Sequence, residues 1–450
     1  MSETVPGDDS VGDGTSPDDG DGSGGFMGWV QKSDLRIVGV TLASMYVLFT
    51  VLVLLEQGLG FDSVNSVVGA WRTLTFLFAA YAVLALALNL HWGYTGMFNI
   101  GVAGFMAVGV YTMALLSGTS DPISAGQGYG WGLPLWFGVI MGTVVAGLTG
   151  LIAAVPALRL RADYLAIVTL GLSEIIRLLA QSRDVSTWTD ETFGFATGGG
   201  RGFFLPDRPT EAIWGTDAGQ SFVELFTVEI GGDEVTLVRE SIIADFSWSL
   251  VMIVFLAGIY WLLRRIGYSP FGRVLKAIRE DELVAQSLGK DTRWFKIKVF
   301  MLGCALMGLG GILWQGSQGT VTPDSFRPIV TFYVFIALII GGSGSNTGSV
   351  VGAILFVGLL FEAPRRVGSI IEAWMNLSSA PNTFHDALGS LASLDVGGFV
   401  AYFIDNLGPL QFVILGLVLV VIVQRRPEGM LGHRTEVAAA IDLERGEIDE

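Results

Sequence analysis

Cysteine is almost missing: Cys304 stands alone, so no disulfide can form within the chain. Histidine is scarce too, and His91, His385 and His433 lie too far apart to form a metal-ligand motif. Charge is sparse. Asp, Glu, Lys and Arg make up 15% of 450 residues, against about a quarter in soluble chains. That excludes a cytosolic enzyme built from two or three soluble domains. Basic residues are the scarcer sign, 26 against 42 acids, and a net charge of −16 excludes a nucleic-acid partner, which needs a basic footprint. Residues 1–25 lack the apolar stretch of a secretory signal peptide. The glycine-rich run Gly341–Gly348 lacks the lysine and spacing of a phosphate loop, so the chain is expected to carry no ATPase site and no cofactor. Spacing supports no Ser-His-Asp or paired-carboxylate arrangement, so it is not expected to be an enzyme.

Apolar residues are plentiful, at 51%, with 61 glycines and 28 phenylalanines. A membrane-spanning helix needs about 20 apolar residues. Ten stretches qualify: 37–55, 73–90, 97–116, 131–155, 162–180, 246–263, 297–316, 329–342, 347–361 and 407–424. The expected fold is an all-α polytopic membrane protein with about ten transmembrane helices, placed in the cell membrane. The eighth and ninth stretches are short and flank the glycine-rich turn, so they form two spans or one re-entrant hairpin. With the N-terminus inside, inner segments hold 17 of the Lys and Arg residues and outer segments eight. By the positive-inside rule both termini are cytoplasmic. The acidic 181–245 loop then faces outward, with Trp188, Phe193, Phe203, Phe204, Trp214 and Phe226 available for a mini-core.

The domain plan is a disordered acidic N-terminal tail (1–36), a transmembrane domain (37–432) and an acidic C-terminal tail (433–450). An acidic, lysine-poor exterior suits concentrated salt, where screening removes self-repulsion, so a halophilic source is expected. An ordinary acidic tail is the plainer alternative.

On the inner side, residues 269–289 read SPFGRVLKAIREDELVAQSLG. Ser269 can N-cap a helix with Pro270 at its first position, and Gly289 can close it. Val274, Ile278, Ala285 and Leu288, with Leu275 beside them, form an apolar stripe on an expected helix of about 19 residues. Three readings stand open: an interfacial helix, a docking surface for a cytoplasmic partner, or plain connecting structure. The acidic run Glu280-Asp281-Glu282 disfavours an anionic lipid surface.

This segment resembles the cytoplasmic EAA loop of ATP-binding-cassette importer permeases. Ala285 and Gly289 fall on the loop's pattern, while the acid, Glu282, sits one position early. Longer segments are similar to LivM-type permeases of branched-chain amino-acid transport. They are ALRLRADYLAIVTLGLSEIIRLLA (157–180), GYTGMFNIGVAGFMAVGVYTMALL (93–116), ATGGGRGF (196–203), IGGSGSNTGSVVGA (340–353) and RRPEGMLG (425–432). Val102 follows Gly101 where that family usually has His.

The resemblance implies a permease subunit that works by alternating access. It also implies a second homologous permease subunit, two cytoplasmic ABC ATPase subunits that use the ATP, and an extracytoplasmic solute-binding protein. It assigns ATPase coupling to the loop carrying Arg279, Asp281, Glu282, Ala285 and Gly289. Glu174 and Arg177, three apart within a span, are either a structural pair or part of a path that shows a zwitterion both signs. Asn99 and Gly101 mark a glycine-rich stretch that is either close helix packing or an interrupted helix lining a cavity. Thr197, Gly198 and Gly199 either touch delivered substrate or form a turn. Rival functions are a urea or short-amide ABC permease and an ion-coupled secondary transporter acting alone.

Overall fold

Glycine and alanine, more than branched side chains, set how closely the helices approach. The computed structural model describes residues 33–58, 61–120, 127–157, 162–214, 216–224, 227–230, 233–236, 238–375, 381, 383–393, 396–405, 407–425 and 428–431. The expected 1–36 tail lies outside them up to residue 32, as do the whole of 433–450, Arg159, Arg161 and Phe226.

The helices are α1 (Asp34–Gln57), α2 (Phe61–Thr95), α3 (Val102–Ser117), α4 (Leu135–Ala157), α5 (Ala162–Gln181) and α6 (Arg183–Phe193), then, after strand β1 (Phe203–Phe204), α7 (Pro209–Trp214) and α8 (Asp217–Glu224). A hairpin of β2 (Thr227–Ile230) and β3 (Asp233–Thr236) leads to α9 (Glu240–Tyr268), α10 (Pro270–Glu280), α11 (Glu282–Ser287) and α12 (Thr292–Gln315). Strand β4 (Thr320–Val321) precedes a 3-10 turn (Pro323–Phe326), α13 (Pro328–Gly341) and α14 (Asn346–Leu355). A π-helical segment (Phe356–Glu362) follows, and then α15 (Ala363–Met375), α16 (Phe384–Ala392), α17 (Val396–Asp405) and α18 (Leu407–Arg425).

The protein is helical and polytopic. Eight helices among the described residues are long and apolar enough to cross a membrane. Each of the ten expected stretches is occupied by a helix, and among the described residues the strands form two short antiparallel pairs, β1 with β4 and β2 with β3.

The 35-residue α2 is the central mast, about 50 Å long. Ala79 to Leu88 are buried all round it, the mark of an interior helix. Helices α1, α9, α12, α13 and α14 pack on it. Beside the mast, α3, α4 and α12 meet at glycines. A Cβ on Gly109 would stand 2.6 Å from the Gly308 carbonyl oxygen, and one on Gly142 would stand 2.5 Å from the Gly109 oxygen. Only hydrogen fits such gaps, as at close membrane-helix crossings.

Several boundaries differ from the sequence expectation. Residues 96–101, in the glycine-rich stretch read as either close helix packing or an interrupted helix, are not helical. The eighth and ninth stretches are the arms of a tight hairpin. Its first arm, α13, has 14 residues, about 21 Å, while the second continues through the π-helical segment to Met375. The expected 19-residue inner helix is two helices, because Asp281 takes an extended conformation (φ −154°, ψ 109°). No single aromatic mini-core forms in the described part of 181–245. Phe203 enters the main core beside Tyr111, whereas Trp188 stays exposed and packs edge-on to Phe193. Phe193 also stacks on Phe195, which meets Trp131, while Trp214 packs separately on Phe222. Nearby, the Tyr129 hydroxyl donates to Asp190, and that hydrogen bond raises the phenol pKa.

Candidate functional site

Non-helical backbone inside a membrane bundle must find partners for its N–H groups. Between α2 and α3, side chains from two other helices supply them. Ile100 N donates to Thr169 Oγ1 of α5 at 3.0 Å, and Ala103 N donates to Thr331 Oγ1 of α13 at 3.0 Å. Asn99 Oδ1 accepts from Gly101 N at 2.8 Å. The Asn99 amide nitrogen lies 3.2 Å from His91 Nδ1, and His91 Nε2 lies 3.1 and 3.2 Å from the carbonyls of Phe300 and Val299. Carbonyl oxygens only accept, so Nε2 carries the hydrogen and Nδ1 accepts from Asn99. His91 is fully buried and stacked on Phe300. Gly303 makes its seat: a Cβ there would stand 2.1 Å from His91 Nε2. Asn99 therefore spends both ends of its amide within the protein.

From this break a polar line runs along α5. Thr169, Ser173, Arg177 and Gln181 recur every four residues and share one face. Gly101 abuts the Thr169 carbonyl, and a Cβ on Gly104 would stand 2.6 Å from Ser173 Cα. Arg177 grips both carboxylate oxygens of Glu174, at 2.5 and 2.9 Å. It also reaches Gln181 Oε1 at 3.2 Å and Asp324 at 3.4 Å. The loop carrying Thr197, Gly198 and Gly199 closes the far end. Gly198 N donates to Ser186 Oγ at 3.1 Å, and Gly199 packs on the Gln181 carbonyl. Of the six buried side-chain polar atoms without a hydrogen-bond partner among the described residues, four are Tyr111 OH, Gln127 Oε1, Ser173 Oγ and Thr197 Oγ1. Such atoms are rare in native interiors and ready to meet water or a ligand. Ile167, Ile175, Leu178 and Leu179, elsewhere on α5, are apolar and exposed.

The second assembly adjoins the same C-terminal end of α2, where the α10–α11 loop meets it. Ser269 Oγ accepts from Gly272 N at 3.2 Å, with Pro270 as the first residue of α10. Asp281 Oδ1 then caps α11, accepting from Leu283 N and Val284 N. Leu275, Ile278 and Ala285 are buried, but Leu288 is 73% exposed and so leaves the expected stripe. Leu283 (73%) and Val284 (55%) are exposed beside it, giving an apolar tip. Glu282 is turned inward, pairing with Lys296 at 2.5 Å and accepting from Thr292 at 3.0 Å. Gly289 turns the chain with φ +77° in open space.

Arg279 reaches back into the bundle. Its Nη1 donates to the Gly93 carbonyl at 2.6 Å, and a Cβ on Gly344 would stand 2.7 Å from that nitrogen. Asn89 Oδ1 accepts from Gly344 N, and Asn89 Nδ2 donates to Asn346 Oδ1. Asn346 in turn donates to Tyr94 OH at 2.9 Å, and Lys276 lies over the Tyr94 ring. Met430 N and Leu431 N donate to the last carbonyls of α13, at Ile340 and Gly341.

Residues 71–363, which hold both assemblies apart from Met430 and Leu431, match the family model described as branched-chain amino acid transport system / permease component. The chain belongs to this permease family. Among similar proteins is the high-affinity branched-chain amino acid transport system permease protein LivM of Escherichia coli (strain K12). It is 30% identical over 296 residues, 63% of this chain and 61% of that protein. The probable LivM of Methanocaldococcus jannaschii is 26% identical over 305 residues, covering 62% and 77%. The guanosine ABC transporter permease protein NupQ of Bacillus subtilis (strain 168) is 23% identical over 314 residues, covering 69% and 85%. The chain thus spans about three fifths of the length of the Escherichia coli relative. No solved structure matches it.

Within this permease, sequence reasoning passed over Asn89, His91, Thr169, Thr331 and Asn346. Asn89 and His91 carried a signal, since polar side chains in an apolar run mark sites that need partners. The threonines carried none, because threonine is ordinary in membrane helices. Replacing Thr169 with valine strips the partner from Ile100 N–H and should cost about 1–3 kcal/mol. Thermal inactivation in detergent should show the loss, and Thr169→Ser should restore most of it.

Proposed function

We propose that this chain is the membrane permease subunit of an ATP-binding-cassette importer that moves branched-chain or related amino acids inward. It works with a second homologous permease, two cytoplasmic ATPase subunits and an extracytoplasmic solute-binding protein. Both termini are cytoplasmic, and the ATP is used by the partner subunits. The observation that carries the reading is the apolar tip Leu283–Val284–Leu288, held on a loop whose inner face is anchored by Glu282, Ala285 and Arg279. An exposed apolar tip on a rigid base is a docking element. The path proposed for cargo is the α5 face, where Glu174 and Arg177 present both signs. The names of the LivM relatives support amino acids, and that of NupQ points to other cargo among related permeases.

Docking transmits ATP-driven motion only if the tip keeps its shape. Gly289 holds φ +77°, a region that costs other residues about 1–2 kcal/mol. Gly289→Val should therefore leave the chain inserted but reduce uptake per ATP hydrolysed about tenfold. The assay is amino-acid uptake and ATP hydrolysis in proteoliposomes of the complex recovered from native membrane in high salt. Mass spectrometry of that complex should find P-loop ATPases and a second permease. Recovery of the chain alone, with uptake driven by an ion gradient, would replace this reading with a secondary transporter.

A further inference from the structure

A cavity of about 510 Å³ lies at the end of the bundle opposite the α10–α11 loop. Its marker on the mast is Arg72, 21 residues before Gly93 and hence about 30 Å from the Arg279 contact. None of the α5 residues described above lines it.

The lining has three chemical parts. The cationic part is Arg72, Arg208 and Arg365, and the anionic part includes Asp245, Glu211 and Glu362. Phe76, Leu77 and Phe361 form an apolar wall. Arg72 and Arg208 both pair with Asp245, and Arg208 also binds Glu211 at 2.8 Å. The network is uneven. Arg72 Nε has no hydrogen-bond partner among the described residues. Glu362 is only 6% exposed, and Arg365, its ion-pair partner at 3.2 Å, has a side chain 64% exposed. Glu362 also ends the seven-residue π-helical segment. Such widened turns are rare and recur at functional sites.

We propose that this cavity is a binding site for a small zwitterion with an aliphatic side chain, such as a free aliphatic amino acid. A simple anion would meet the carboxylates, and a simple cation would meet the guanidinium groups. A neutral apolar molecule would strip water from both sets of charges and return nothing. A zwitterion offers its carboxylate to Arg72, its ammonium to Glu362 and its side chain to the Phe76–Leu77–Phe361 wall. The volume falls within the usual range of about 300–1,000 Å³ for ligand pockets. This site goes beyond the transport path proposed on α5, and it needs no ATPase to fill.

The test uses the full chain in nanodiscs, without ATPases or binding protein, and L-leucine as probe. Leucine should bind saturably by equilibrium dialysis. 4-Methylpentanoate, without the ammonium group, and 3-methylbutylamine, without the carboxylate, should bind about tenfold more weakly or worse. Glu362→Gln should weaken leucine by at least about tenfold, with Glu362→Asp restoring most of it. Arg72→Gln should do the same as Glu362→Gln while leaving Asp245 paired with Arg208, so the fold persists, as size-exclusion chromatography will verify. Absence of leucine binding, or unchanged binding in both charge-removing variants, would reduce the cluster to a structural ion-pair network and overturn the site. Uptake coupled to ATP despite that result would leave the transport reading standing. Leucine binding here without ATP-linked uptake would do the reverse.

Discussion

Arg279→Ala is expected to separate ATP hydrolysis from transport more completely than any change at the exposed tip. The tip is the part proposed to dock, whereas Arg279 joins the α10–α11 loop to the bundle. Its guanidinium donates to Gly93 O at the end of the mast, in a slot that exists because Gly344 has no side chain. A hydrogen bond from a charged group is worth about 1.5–3 kcal/mol. Its loss should raise the ATP consumed per amino acid imported roughly 10- to 100-fold. Arg279→Lys keeps the charge but not the planar fork, and should recover part of the coupling. The ratio of hydrolysis to uptake in proteoliposomes is the readout. An unchanged ratio would show that motion enters the bundle elsewhere, for example through Glu282 and Lys296.

The largest stability effect is expected at Gly303. Gly303→Val would place atoms within 2.1 Å of His91 Nε2, which has backbone on two sides and Phe300 against its face. Ejecting the imidazole removes the acceptor for Asn99 and loosens the turn that starts α3. Overpacking costs about 1–3 kcal/mol, and each buried polar group left unsatisfied adds about 1–3. The total is a large part of a typical folding margin of about 5–15 kcal/mol. Folded protein should nearly vanish from size-exclusion profiles in detergent. Combining the smaller Gly303→Ala with His91→Ala should recover more folded protein than Gly303→Ala alone, because the two groups compete for one space. Wild-type yield from Gly303→Ala would show that the seat is not closed.

Hydropathy made the helices legible. Each apolar stretch of membrane length holds a helix, because lipid leaves the backbone little alternative. The break at 96–101 was legible only as one of two alternatives, close helix packing or an interrupted helix. Met97 to Leu116 is equally apolar whether coiled or helical, and the decision rests with hydroxyls on α5 and α13 far away in sequence. The start of α10 was readable from Ser269 and Pro270, a local signal. Its end was not, since Asp281 between two glutamates reads as a solvated charge until its carboxylate is seen capping α11. For the candidate site, the Glu174–Arg177 pair could be read from helical spacing alone. Its continuation to Asp324, and the slot joining Arg279 to Gly93 and Gly344, depend on pairings across 147 and 186 residues and on backbone atoms that no side-chain pattern records.

The clamp that Met430 and Leu431 place on α13 bears on biosynthesis. A ribosome makes these residues about 90 positions after the carbonyls they cap. Until then the carbonyls of Ile340 and Gly341 lack these two donors. The end of α13 is therefore closed only after the chain has been made as far as Leu431, so this contact forms later than the hairpin it caps.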